Sequence, residues 1–233
     1  MLKKLLNAWE DFFYPPTCAS CQNKVEQSYM LCEDCRGKAT FVRSYNAAAV
    51  GLEHLDAVLV MAHYRGGFQD VLHKVKFLGQ EKLLAVLASE FALLWHQSGQ
   101  KILTEFLEKL DIDEEAICLI PVPTDTERLQ QRGYDLPESI FAPWCAEEGY
   151  PFTSCLTRVR ATLPQYELDG QARRTNMLGA MKASSLPKQR ILLIVDDIMT
   201  TGATLCECAR ALRAAGGADK IIIGVALCSD MQI

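Results

Sequence analysis

Four short runs of consecutive apolar residues divide the chain. They are rich in Val, Ile, Leu and Ala, and charged residues, glycines or prolines bound them. Runs of this length, apolar at successive positions, are typical of strands that are buried on both faces of a parallel sheet. We therefore predict buried strands at residues 56–64, 116–123, 190–197 and 220–227.

Between these runs, apolar residues recur at helical spacing in segments rich in good helix formers. Glycines end two of the segments, at Gly79 and at residues 216–217. Strands that alternate with helices predict an α/β fold, in which a parallel sheet carries flanking helices on both faces. The predicted helices cover residues 68–79, 81–96, 101–110, 127–148 (for the most part) and 202–217.

The first sixteen residues, MLKKLLNAWEDFFYPP, also place apolar residues at helical spacing. We expect a helix packed on the body of the protein, with a helix lying on a membrane surface as the alternative. Asn7, Glu10 and Asp11 interrupt the apolar residues, so a signal peptide is not expected. No apolar run is long enough to span a bilayer, and we therefore expect a cytoplasmic protein.

Composition and charge narrow the class of protein. The 233 residues suffice for one full α/β domain and a small module, and 49% are hydrophobic, enough to form a core. The net charge of -5 argues against non-specific nucleic-acid binding by the overall field, although a local basic strip would still allow contact. Ten cysteines in a chain expected in a reducing compartment favour metal binding over disulfides wherever they cluster.

Four of the cysteines form two C-x2-C pairs that ten residues separate: CASC with Cys18 and Cys21, and CEDC with Cys32 and Cys35. Two such pairs supply the four thiolates of a closed tetrahedral zinc site, which leaves no open position for catalysis. Two unrelated redox or structural pairs are the alternative. The following stretch, residues 38–51, is small, polar and aperiodic, and is expected to be a linker.

Candidate site residues follow the apolar run ILLIV. They are Asp196 and Asp197 and, after Ile198, the loop MTTGAT. In parallel sheets, ligands bind beyond the carboxyl ends of the strands. Two carboxylates there can accept hydrogen bonds from sugar hydroxyls or hold a divalent cation. Backbone N–H groups and hydroxyls of residues 200–204 would form an anion site at a helix N-terminus, best suited to phosphate. The alternative is that Asp197 and Thr201 only cap the helix.

The stretch ILLIVDDIMTTGATL resembles the phosphoribosyl-diphosphate (PRPP) signature of type I phosphoribosyltransferases. The segments at 120–135 (IPVPTDTERLQQRGYD) and 158–181 (RVRATLPQYELDGQARRTNMLGAM) resemble two blocks of the ComF/GntX family. That family comprises competence-associated, phosphoribosyltransferase-like proteins with an N-terminal four-cysteine zinc module. Three positions depart from its pattern: Tyr134 and Met181 stand where the family has Phe, and Asp135 where it has Asn.

The resemblance implies a division of the chain and a set of ligand contacts. The expected units are an N-terminal helix and zinc module at 1–37, the linker at 38–51 and a phosphoribosyltransferase-like domain at 52–233. Asp196 and Asp197 would be the catalytic pair that meets the ribose hydroxyls, with magnesium accompanying PRPP. The substrate-binding residues would be Thr200, Thr201, Gly202, Ala203 and Thr204 at the 5-phosphate, Arg128 and Arg132 after a diphosphate loop at 122–127, and Arg160 and Arg173 in a mobile loop at 158–176. A solvated basic loop is the alternative for the last block.

Two classes of function follow. One is a magnesium-dependent phosphoribosyltransferase whose acceptor the sequence does not name. The other is a non-catalytic PRPP or nucleotide sensor, or an adaptor for single-stranded DNA and a helicase-like DNA-uptake partner, as the resemblance implies. Lys74 and Lys76 of HKVKFLG would contact ligand or nucleic acid, or belong simply to an amphipathic helix ended by Gly79.

Overall fold

The computed structural model describes residues 15–26, 30–110, 117–160 and 170–231. The N-terminal helix expected over the first residues lies outside this part. The strands are β1 (Thr40–Asn46), β2 (Ala57–His63), β3 (Ile117–Pro121), β4 (Leu156–Arg158), β5 (Met181–Ala183), β6 (Ile191–Met199) and β7 (Ile221–Ser229). The helices are α1 (Glu33–Gly37), α2 (Gly66–Leu78), α3 (Leu84–Leu94), α4 (Gln100–Glu108), α5 (Thr126–Arg132), α6 (Leu136–Glu148), α7 (Gly170–Met177) and α8 (Ala203–Ala214), and a π-helical turn, Trp95–Gly99, joins α3 to α4.

A five-stranded sheet in the order β1-β2-β7-β6-β3 forms the centre of the molecule. The four strands β2, β7, β6 and β3 run parallel, and β1 is antiparallel to β2. Every residue of β7 and nearly every residue of β6 is buried, which explains their unbroken apolar sequences. The predicted α/β fold with a mostly parallel sheet is confirmed.

Apolar side chains fill both faces of this sheet. One core lies under α2, α3 and α6, where Phe91, Phe141 and Trp144 pack edge to face. The other lies under α8 and the two-stranded β4–β5 sheet, and includes Leu205 and Met181. Helices on both faces are therefore observed, as the alternating pattern predicts.

Strand β1 occupies much of the stretch expected to be a linker. Only Phe41, Val42 and Tyr45 are partly buried in it, and its register with β2 shifts between Thr40 and Arg43. An edge strand with a bulge and a solvated face lacks the alternating apolar pattern that marks a strand in a sequence. At the opposite edge, Leu119 of β3 exchanges backbone hydrogen bonds with the segment 151–153, which covers that strand.

The four-cysteine segment packs directly on the helices of the first core. Leu31 is buried there, and its N–H donates to Glu90 Oε1 at 2.8 Å. The Arg36 guanidinium binds both oxygens of Glu90, with Nε–Oε2 at 2.5 Å and Nη2–Oε1 at 2.8 Å. Because Glu90 has no exposed surface, this ion pair belongs to the interior shared by the two parts of the chain.

Within the described ranges, no helix combines the length and the apolar character that crossing a bilayer requires.

Candidate functional site

Asp196 and Asp197 lie in the last part of β6, next to the loop that opens α8. Their exposed fractions are only 9% and 8%. Successive side chains of a strand point to opposite faces, so Asp196 faces the α8 side and Asp197 the α2 side. The two remain linked, because Asp196 Oδ1 accepts the N–H of Asp197 at 2.9 Å.

On the α2 side, Asp197 Oδ2 forms an ion pair with Lys76 Nζ. Lys76 lies in the last turn of α2, just before Gly79 ends the helix in a left-handed conformation. Both side chains are well buried, with 18% of Lys76 and 11% of Asp197 exposed. The predicted stop at Gly79 is thus correct, and the helix end it defines delivers a lysine to the acidic pair.

The two carboxyl groups have opposite pKa shifts. Burial raises the pKa of Asp196 well above its ordinary value, and the negative charge of Asp197 raises it further. Burial also opposes ionisation of Asp197, but the charge of Lys76 outweighs burial and lowers that pKa, with a smaller contribution from Arg132. The pair therefore favours one proton, held on Asp196, and one negative charge, held on Asp197.

Two arginines approach the acids from other elements. Arg132 is the last residue of α5, and the negative charge of Asp197 acts to raise its pKa. Arg158 is the last residue of β4, and the charges of Asp125 and Asp196 act on its pKa in the same direction. Burial lowers the pKa of both guanidinium groups. Arg158 Nη2 donates at 3.5 Å to the carbonyl of Pro123, which belongs to the predicted diphosphate loop.

The other predicted arginines have different surroundings. Arg128 is half-buried on α5, close enough to Arg132 and Arg158 for its charge to affect both. Arg160 donates to the carbonyls of Asn176 and Leu178, both at 2.8 Å, and so joins β4 to the end of α7. Arg173 is half-buried on α7. Ligand contacts by these three residues remain predictions.

The predicted anion site is the loop before α8. Gly202 adopts a left-handed φ of 72°, so another residue here would strain the backbone, and its Cβ would have to displace Leu52 Cδ2. Gly202, the N-cap residue of α8, has no side chain to cap the helix, and Thr201 Oγ1 accepts the N–H of Ala203, the first helical residue, at 3.4 Å. Asp197 binds Lys76 instead of capping the helix. Thr200 and Thr204 are half-buried beside this turn.

The positions that depart from the family pattern have structural roles. Asp135 caps α6, where Oδ1 accepts the Glu138 N–H at 3.0 Å and Oδ2 the Thr124 N–H at 3.3 Å. Acceptor oxygens suffice for both bonds, so the change from amide to carboxylate is compatible with this role. The Tyr134 hydroxyl donates to the Val75 carbonyl at 2.6 Å, a bond that Phe would lack. Met181 is buried in the second core.

The sulfurs of Cys18, Cys21, Cys32 and Cys35 lie within 4.8 Å of one another, and those of Cys21 and Cys32 are 3.6 Å apart. A tetrahedral zinc site with Zn–S bonds of about 2.3 Å would separate its sulfurs by roughly 3.8 Å, so the group fits this metal.

The pKa shifts of the four cysteines are also consistent with a metal site. Burial opposes ionisation of Cys18, yet hydrogen bonds from backbone groups of Cys21, Cys32 and Ser20 bring its pKa down to about 7. Burial and the neighbouring sulfurs raise the pKa of Cys35 to about 12. Since four thiolates repel one another, a bound cation is needed to hold all four ionised.

Comparison with known proteins agrees with this arrangement. A model of the phosphoribosyl transferase domain matches residues 153–232, and one of the double zinc ribbon domain matches residues 9–50. The DNA utilization protein YhgH of Salmonella typhimurium is 27% identical over 208 residues, 86% of each chain. Competence protein F of Haemophilus influenzae is 25% identical over 217 residues, 90% of this chain and 89% of that protein. Over most of its length the chain is therefore homologous to these ComF-family proteins, and it combines a phosphoribosyl transferase domain with a double zinc ribbon. The predicted ComF resemblance is thereby confirmed.

The sequence left the roles of two candidate-site residues open. Lys76 was one of two lysines with an open role, and Arg158 was one of several arginines in a basic block. For Lys76 the available signal was its place in the last turn before a glycine stop. Its partner is distant in the sequence, so the pairing itself left no local signal.

Proposed function

We propose that this chain binds a ribose 5-phosphate ester, with PRPP as the full ligand, at the carboxyl end of β6. The observation that carries the proposal is the buried acidic pair, Asp196 and Asp197, followed at once by the glycine turn and the N-terminus of α8. The vicinal hydroxyls of the sugar would donate to the acids. The 5-phosphate would accept from N–H groups and hydroxyls of residues 200–204.

The surrounding charge supports a polyanionic ligand. Lys76, Arg132 and Arg158 lie around two acids that together favour a single negative charge. The diphosphate of PRPP would meet the guanidinium groups, which bind phosphate oxygens in pairs. Magnesium would enter as the complex with that diphosphate, because Asp197 already has a cation and Asp196 favours its proton.

The transferase version of this function has a simple bond balance. The bond from ribose C1 to the diphosphate oxygen breaks, the diphosphate leaves with the electron pair, and a nitrogen acceptor forms the new bond to C1. Arg132, Arg158 and the magnesium complex would stabilise the leaving charge.

A binding titration tests the proposal. Calorimetry with magnesium and PRPP should give saturable binding, which the double variant Asp196→Asn, Asp197→Asn loses. Asp219→Asn is the matched control, since this exposed residue precedes the opposite, amino end of β7. Equal affinity in the double variant and the control would refute the assignment. Diphosphate release with a panel of nitrogen bases then tests the transferase version.

A second function is favoured by an aromatic and basic cluster on the edge of the sheet. Phe41 of β1 stacks on His63 of β2 with ring centroids 3.9 Å apart, and the Arg43 guanidinium lies 4.6 Å from the Phe41 ring centre. Arg65 is exposed nearby, and its charge and that of Arg43 help burial to lower the pKa of His63. Rings interleaved with cations are typical of surfaces that bind single-stranded nucleic acid.

We propose that this cluster contacts single-stranded DNA, in line with the words competence and DNA utilization in the names of the relatives. A mobility shift with single-stranded DNA should weaken with salt and should fall in the variant Arg43→Ala, Arg65→Ala. The control variant Lys101→Ala, Lys109→Ala removes the same charge from the exposed side of α4. Equal losses in both variants would show that only the overall charge matters.

A further inference from the structure

We propose that Lys76 is the built-in cation of the sugar subsite, and that it allows the acidic pair to bind a ribose 5-phosphate without a divalent metal ion. This inference rests on the proposed function. It goes further because it assigns to a side chain of the protein the charge that a metal ion would otherwise supply at Asp197.

The geometry directs Lys76 to this role. Lysine at the end of a helix ordinarily extends into water, but here only 18% of the side chain is exposed. The next two residues, Phe77 and Leu78, are 59% and 58% exposed, so the helix end does not bury Lys76 for the sake of a core. Its ammonium group instead meets Asp197 inside the candidate site.

A second contact fixes the position of this helix end. Tyr134 donates to the carbonyl of Val75, the residue just before Lys76. Tyr134 follows Arg132 and Gly133 in the segment that leads from α5 to α6. This short segment therefore fixes the helix end that carries Lys76 and also supplies the Arg132 charge that acts on Asp197.

The local charges leave little place for a metal ion on Asp197. A divalent cation bound there would have to displace the Lys76 ammonium and would be repelled by the charge of Arg132. On the other face, Asp196 favours its neutral form and is accompanied by Arg158. A lysine that neutralises Asp197 lets the carboxylate accept a sugar hydroxyl and reduces its repulsion of the phosphate dianion.

The test uses ribose 5-phosphate, which carries the diol and the phosphate but no diphosphate to chelate magnesium. Calorimetric titrations are made in EDTA and in magnesium. Wild-type affinity should be the same in both within about twofold. Lys76→Met should weaken binding in EDTA by about 10-fold to 100-fold, as expected for loss of one charge-assisted contact.

The variant should then acquire a metal dependence that the wild type lacks. Magnesium should restore much of the affinity of Lys76→Met, because the vacated Asp197 carboxylate offers the hard oxygen ligand that this ion prefers. Lys76→Arg should stay closer to wild type in EDTA. Lys82→Met is the matched control, as it removes an exposed lysine from the turn after α2 and should change neither titration.

The failures of the two proposals are distinguishable. A wild type that binds ribose 5-phosphate only with magnesium, or a Lys76→Met variant unchanged in EDTA, overturns the role of Lys76 and leaves the sugar-phosphate site in place. A Lys76→Met variant that magnesium does not rescue, with an unchanged melting temperature, also overturns it. A wild type that binds neither ribose 5-phosphate nor PRPP in any condition overturns both proposals.

Discussion

At the scale of single residues, two adjacent carboxyl groups have become chemically different. Asp196 and Asp197 have the same side chain and nearly the same burial, yet the pleat of β6 turns them to opposite faces. Asp197 forms an ion pair with Lys76, which lowers its pKa. For Asp196, burial and the charge of Asp197 raise the pKa. The difference between them therefore arises from the elements packed on each face.

The pair predicts opposite effects of the same substitution on stability. The raised pKa of Asp196 means that wild-type stability falls as pH rises from the ordinary carboxyl pKa through the folded value. Asp196→Asn removes this loss and should raise the melting temperature above neutral pH, by about 2–4 °C per kcal/mol in a chain of this size.

Asp197→Asn should lower the melting temperature, since it leaves Lys76 buried without its charge partner. The lowered pKa of Asp197 means that its stabilisation is present above the ordinary carboxyl pKa and is lost as pH falls through the folded value. The difference in melting temperature between Asp197→Asn and the wild type should therefore become smaller at acidic pH. Calorimetric scans from about pH 2 to about pH 9 check both signs, because the change expected for Asp197→Asn falls below the ordinary carboxyl pKa of 3.8. Equal shifts in the two variants would contradict the assigned environments.

Tyr134 gives a second prediction at this scale. Tyr134→Phe removes only the hydroxyl that binds the Val75 carbonyl and should destabilise the protein by about 0.5–1.5 kcal/mol. Chemical denaturation measures the change. Tyr45→Phe is the control, because no hydrogen bond of the Tyr45 hydroxyl is found among the described residues. A similar loss in the control would show that the bond to Val75 is not the cause.

Site residues that are adjacent in the sequence can be predicted from it, whereas site residues that only tertiary packing brings together cannot. Asp196, Asp197 and the loop after them form one stretch, so their spacing predicts a sugar-phosphate site. Lys76 reaches this site from α2, which is distant from β6 in the sequence, and only the tertiary fold reveals the ion pair. Asp135 looked like a departure, and its role as an acceptor for two N–H groups required the geometry of the turn.

At the scale of elements, α2 joins the zinc-binding segment to the candidate site. Its first turn packs on Leu31 and Cys35, and its last turn carries Lys76. In the middle, Lys74 Nζ donates to the Ala19 carbonyl at 2.9 Å. One helix of 13 residues therefore contacts the cysteine loops at one end and the acidic pair at the other.

Gly67 provides the test of this packing. A Cβ at this position would lie 2.9 Å from Leu31 Cδ2 and 3.0 Å from Cys35 Cβ. Gly67→Ala should therefore destabilise the protein by about 1–3 kcal/mol through overpacking, although alanine is the better helix former. Gly37→Ala is the control, since nothing lies within 4 Å of its added Cβ. Denaturation with zinc analysis checks both variants, and a stabilised Gly67→Ala would show that the helix and the cysteine loops are not tightly packed.

Elements buried on two faces could be predicted, and the element at the edge could not. The strands β2, β3, β6 and β7 have apolar runs because helices cover both of their faces. Strand β1 has one neighbour, a bulge and several exposed residues, so its sequence is that of a loop.

At the scale of the whole molecule, the zinc-binding segment and the α/β domain share one core. Glu90, in α3, is completely buried and holds Arg36 and the Leu31 N–H together. A buried carboxylate that loses its partners is strongly destabilising. Loss of the metal should therefore affect more than the cysteine loops.

Cys32→Ser tests this coupling. The substitution should release zinc and lower the melting temperature of the whole chain in a single transition, because Leu31 and Arg36 lose their fixed positions over Glu90. Cys206→Ser is the control, since it changes a half-buried cysteine outside the metal group. An unchanged transition for the α/β domain after zinc release would show that the two parts are energetically independent.

The two edges of the central sheet affect the tendency of the protein to aggregate in concentrated solution. The edge strand β1 has a bulge, and its residues Arg43 and Asn46 are exposed to solvent. At the other edge, the segment 151–153 forms backbone hydrogen bonds with Leu119 of β3. At these two edges of the central sheet, the described residues offer a second copy no flat, bare strand to extend, so fibril growth by strand addition there is disfavoured.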